Sequence, residues 1–135
     1  MNRTMLHELQ RLLGQLRAAR KTIDGLASTS AEARNWKLGA VKLPLLDQLL
    51  AAADTFLGND RPFTFPGFAA GDEESATLSD ASWVLAQYIS CFEAHRARHL
   101  EKRHDKWFWV LEVEDDDGTK QIERIPVERY TEAPD

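Results

Sequence analysis

Leucines recur at three- and four-residue steps near the start of the chain. Leu6, Leu9, Leu13, Leu16 and Ile23, flanked by Met5, Leu12 and Leu26, make one apolar stripe and predict a helix over 4–26. Thr4 suits its start and Gly25 lies near its end. Thr29 with Glu32 has the spacing of a capping box, so a short helix over 30–38 carrying Trp36 is expected next. Pro44 fits a first turn and not a helix interior, which starts a further helix over 44–57 with Leu45, Leu46, Leu49, Leu50, Ala53 and Leu57 as its buried face.

The helical period then stops. Residues 58–78 form an aromatic and acidic loop, with Phe63, Phe65 and Phe68 set among Pro62, Pro66 and Gly67. A loop of this length in a small domain points to function. Periodicity returns at Ser79 or Asp80, either of which can cap a helix over 79–104 whose stripe is Ala81, Val84, Leu85, Tyr88 and Phe92. Continued at about 100° per residue, that stripe reaches His95 and His99 with Cys91 beside it.

The last third changes period again. KWFWVLEVE is rich in aromatic and β-branched residues, Asp117-Gly118 signals a two-residue turn, and QIERIPVERY reads as the return strand of a β-hairpin over about 106–130. Trp107, Trp109, Leu111 and Val113 share one face and Phe108 and Val110 the other, so both faces need cover. Pro126 suits an outer edge. The expected fold is α+β, one domain over 1–135, in which a small bundle of three to four helices carries a C-terminal antiparallel β-hairpin.

Charge adds a second pattern. The net charge is −5, yet residues 1–42 carry eight Lys or Arg against three acids, and residues 95–106 five against two. Residues 43–94 carry one against eight, and residues 107–135 three against nine. Such blocks bear on partners rather than on fold. The single cysteine excludes an internal disulfide and fits a reducing compartment, and the amphipathic N-terminus reads as neither signal peptide nor membrane span. The expected location is the cytoplasm, with no membrane partner.

Four chemistries can be weighed. Cys91, His95 and His99 at four-residue steps could offer zinc a thiolate and two imidazoles from one helical face. Arg96, Arg98, Lys102 and Arg103 around them oppose a cation, so a metal site ranks third. The zinc-protease pattern is broken, because Arg96 stands where a water-activating glutamate would be. Cys91 beside His95 lacks the backbone donors that acyl transfer requires, and no phosphate loop or paired-carboxylate motif is present, so no enzyme is expected. Nucleic-acid binding through the basic helices, with Trp107 or Trp109 stacking on bases, ranks second.

The leading expectation is a non-enzymatic protein-binding module or regulator of the inhibitor or adaptor type. Its surface would join Arg96, Arg98, His99, Lys102 and Arg103 to Phe63, Phe65 and Phe68, residue types that dominate interface energetics. A second copy of the chain is one candidate partner. If His99 takes part, binding should change over about pH 5.5–7.5.

Overall fold

In a computed structural model, residues 1–37, 42–68 and 76–127 are described. They form an α+β fold of three helices and a three-stranded antiparallel sheet. The helices are α1 (Arg3–Ala27), α2 (Lys42–Leu57) and α3 (Leu78–Ala97), and the strands are β1 (Leu100–Arg103), β2 (Lys106–Glu114) and β3 (Lys120–Pro126). Residue 38 of the expected short helix, residues 69–75 of the expected loop and residues 128–130 of the return strand lie outside the described residues. The chain divides into two compact units, Gln10–Phe92 and Met1–Leu9 with Glu93–Asp135.

The first unit is helical. Leu12, Leu13, Leu16 and Ile23 of α1, Leu46, Leu50, Ala53 and Leu57 of α2, and Leu78, Ala81, Val84, Leu85, Tyr88, Ile89 and Phe92 of α3 are its buried stripes. Their helical spacing is the physical origin of the three elements, since each helix becomes stable by removing one apolar face from water. Leu45, expected in the buried face of α2, is 63% exposed.

The caps differ from expectation. The Asn2 side chain, rather than Thr4, accepts from the Met5 N–H at 2.8 Å at the start of α1. The Thr29 hydroxyl does not start a second helix; it donates to the Leu26 carbonyl at 2.8 Å, closing α1, and only a 3₁₀ turn follows at Ala33–Asn35. Thr77, rather than Ser79 or Asp80, begins α3. Its hydroxyl accepts from Asp80 N–H while the Asp80 carboxylate accepts from Thr77 N–H, both at 3.1 Å. This reciprocal pair satisfies two otherwise orphaned donors.

The second unit contains the sheet, in the order β1-β2-β3, and here the largest correction falls. The helix expected to run to residue 104 ends at Ala97, and residues 100–103 form a strand. Leu100 pairs with Trp109, Glu101 with Phe108, Lys102 with Trp107 and Arg103 with Lys106. Val110 N–H donates to the His99 carbonyl at 2.8 Å, continuing the ladder. The reversal at His104 and Asp105 puts both residues at positive φ, 51° and 63°, as a two-residue primed turn requires. Without β1, one edge of β2 would lack backbone partners, and that non-local demand outweighs the local helical period. Beyond β1 the same edge is closed by the Met1 carbonyl, which accepts from Glu112 N–H at 2.8 Å.

The β2–β3 reversal is likewise not the expected two-residue turn. Asp115 N–H donates to Thr119 carbonyl and Gly118 N–H to Asp115 carbonyl, both at 2.9 Å, with Gly118 at φ 84°. This is a three-residue loop with glycine in the bulge position. Trp109 and Leu111 on one sheet face are buried, as are Leu6 and Leu9 of the same unit. Val127 N–H bonds to Trp107 carbonyl, so Pro126, opposite Phe108, turns its missing donor to the outer edge.

Candidate functional site

The basic segment singled out in the sequence is not one helical surface. Arg96 is buried in the last turn of α3, Arg98 follows the helix, and Lys102 and Arg103 are exposed on β1. Alternation along a strand sends Lys102 to the sheet face of Trp107 and Trp109, and Arg103 to the other. Arg103 and Arg124 both bond the Glu101 carboxylate, at 3.1 and 2.8 Å, and Arg3 is paired with Glu123. The cations are thus divided between two faces and partly neutralised.

His95 and His99 lie with ring centroids 5.1 Å apart, but His99 is beyond the end of α3. Burial lowers the His99 pKa, followed by the positive Met1 amino group, His95 and Arg98, with Glu112 acting the other way. His99 is therefore a weaker base than usual. Cys91 belongs to the helical unit. Burial, then the negative charge of Asp60, raises its pKa, which disfavours the thiolate that metal ligation or nucleophilic attack needs. Among the described residues, no three His, Cys, Asp or Glu side chains are grouped to hold a metal ion.

The aromatic segment is organised by contacts within the helical unit. Phe63 stacks on Trp83 of α3 at 5.8 Å with 13° between planes. It meets Tyr88 edge-on at 6.0 Å and Phe65 at 6.1 Å, and Phe65 meets Phe68 at 5.0 Å. Each such pair adds about 0.5–1.5 kcal/mol beyond area burial. The Phe68 N–H donates to Asp47 Oδ1 at 2.7 Å, and Tyr88 Oη donates to Asp54 Oδ1 at 2.7 Å. Burial and this carboxylate hold the Tyr88 phenol far above its ordinary pKa. Gly67 has φ 102°, and a Cβ there would sit 3.1 Å from the Asp47 carboxylate, so only glycine fits the turn.

These anchors give the three predicted phenylalanines different positions. Phe68 is buried, while Phe63 and Phe65 are half-buried beside exposed Pro66. Trp83, which sequence reasoning did not select, is 60% exposed and forms the outer layer of the stack. Its signal was available, because Trp83 lies off the stripe of Ala81, Val84, Leu85 and Tyr88, where a surface helix usually carries polar residues. Asp47, Asp54, Phe65 and Pro66 also line a cleft of about 450 Å³. Comparisons with protein-family models, curated proteins and solved structures find no match. Among the described residues, no helix is long and apolar enough to cross a membrane.

Proposed function

We propose that the chain is a non-enzymatic, cytoplasmic protein-binding module of the regulator, inhibitor or adaptor type, and that its principal contact surface is Trp83 with Phe63, Phe65 and Pro66. The observation that carries this reading is the 60% exposed Trp83 stacked face to face on Phe63. A large indole held in place on the surface loses little conformational entropy on binding, and tryptophan is the residue type most enriched among dominant interface contacts. The buried Phe68 and its bond to Asp47 support the surface from beneath. Lys102 and Arg98 contribute long-range attraction for an acidic partner, which changes association rate more than residence time. Of the two basic helices behind the alternative, nucleic-acid reading, residues 95–106 are divided between the end of α3 and β1, while α1 keeps its helical form.

The test is affinity capture with the wild-type chain and a Trp83→Ala variant as paired baits, then titration of each captured protein. A partner whose affinity drops about 30-fold or more in the variant, the scale of a dominant contact, supports the proposal. Captured proteins that bind both baits equally, or a chain that binds single-stranded oligonucleotides with steep salt dependence instead, would overturn it.

A further inference from the structure

The three helices of the unit Gln10–Phe92 leave an apolar groove open along one side. Its volume is about 340 Å³, and Ile23, Leu46 and Leu78, one from each helix, are buried at its base. The α1 wall carries the small residues Ala18 and Thr22, and the α2 wall carries Leu45 and Leu49. Leu45 is 63% exposed, and apolar side chains of a partner would remove it from water. Among the described residues, no charged side chain lines the groove.

We infer that this groove receives an amphipathic helix of another protein, apolar on its buried face and acidic on its flanks. Two walls and a floor drawn from three helices are what a fourth helix packs against in a bundle. Small residues on one wall let its backbone come close, at the short end of helix–helix distances of about 8–10 Å. Charge selects the partner. Arg11, Gln15, Ala18 and Thr22 follow one another at four- and three-residue steps, so Arg11 lies in line with the α1 wall. Lys21, three residues from Ala18, stands at the outer edge of that wall. Both cations are exposed, and Arg11 also bonds Gln15 Oε1 at 3.3 Å. Asp24, the one acid in residues 10–27, is engaged by Arg20 and by the Ser82 hydroxyl of α3. On α2, Asp47 and Asp54 lie on the face away from Leu45 and Leu49 and bond Phe68 and Tyr88. The rim is thus positive. From Arg11 to Leu26 it runs about 22 Å at 1.5 Å per residue, the length of a partner helix of about 15 residues.

Fluorescence anisotropy on the full chain at low salt, with a labelled, end-capped 15-residue peptide, tests this. The peptide carries leucine on one helical face, glutamate on both flanks and alanine elsewhere, and its control has lysine for each glutamate. The acidic peptide should bind saturably and at least about tenfold more tightly than the basic one, weakening as salt rises. Leu45→Glu should weaken it at least about tenfold, the scale of a central apolar contact replaced by charge. Leu45 is exposed near the N-terminus of α2, where an acid is tolerated, and circular dichroism checks that each variant is folded. Arg11→Glu with Lys21→Glu should reverse the preference, so that the basic peptide binds better. An acidic peptide that does not bind, equal binding of both peptides, or unchanged affinity in Leu45→Glu would overturn the inference. So would a wild type that sediments as a dimer which Leu45→Glu dissolves, since a second copy would then hold the groove. Trp83→Ala should leave peptide binding unchanged, so this groove and the aromatic surface stand or fall separately. A loss in Trp83→Ala would put the peptide on the aromatic surface and overturn the inference as well.

Discussion

The aromatic segment around Phe63–Phe68 and the basic segment around Arg96–Lys106 both stand out in the sequence, and the fold treats them in opposite ways. The first is irregular backbone given a definite shape by side chains: Phe63 between Trp83 and Tyr88, Phe68 on Asp47, and Gly67 against the same carboxylate. The second is regular backbone, a hairpin arm held by its ladder to β2, and that regularity splits its cations between two faces. A row of like charges depends for its effect on which face the backbone gives each residue. A cluster of aromatics supplies its own order through burial and ring packing. The aromatic segment is thus the better prepared for specific contact, and the basic one is suited to attraction at a distance.

The contrast can be broken at its supports. Trp109 is 2% exposed and pairs with Leu100 of β1 and Ile125 of β3. Trp109→Ala should cost about 3–5 kcal/mol in urea unfolding and release β1, seen as fast amide exchange at residues 100–103. Slow exchange there would show that β1 is ordered by something other than this ladder. Gly67→Ala should cost about 2 kcal/mol, since it adds a Cβ at positive φ against the Asp47 carboxylate. It should also diminish the near-ultraviolet dichroism of the Trp83–Phe63 stack while leaving β1 exchange unchanged.

The basic hairpin can be improved instead. His104→Asn with Asp105→Gly places the residues that a primed turn favours at the observed φ of 51° and 63°, and should stabilise the chain by about 1 kcal/mol in chemical unfolding. A destabilised double variant would mean that the His104 or Asp105 side chain has a structural role.

The smallest effect is that of pH. Because the folded state lowers the His99 pKa through burial and nearby positive charge, the unfolded chain binds the proton more readily. Stability contributed by neutral His99 is fully present above the ordinary histidine range, about 6.5, and falls as pH drops below it. Solvent screening at this half-exposed site keeps the slope shallow. His99→Gln should flatten stability against pH between 7 and 5; an unchanged slope would assign the acid sensitivity elsewhere.

Much of the helical architecture was legible because its signal is periodic and local. The leucines of α1 and the Ala81–Phe92 stripe of α3 each mark their own buried face, and KWFWVLEVE marks β2 by composition. The end of α3 was not legible, because His95 and His99 extend the stripe by arithmetic while β1 depends on pairing with Trp107–Trp109 across the turn. β1 is four residues long with three charges, and its turn contains no glycine, so no local rule announces it. At the candidate surface, Phe63 and Phe65 could be named from composition. Trp83 could not be joined to them, since their contact bridges 20 residues of sequence and is created only by packing.

Hydrogen–deuterium exchange on the chain bound to a captured partner tests the aromatic surface most directly. The account predicts new protection over residues 61–68 and 80–84, with little change over 98–106. Protection confined to 98–106, with the aromatic segment exchanging as in the free chain, would contradict it.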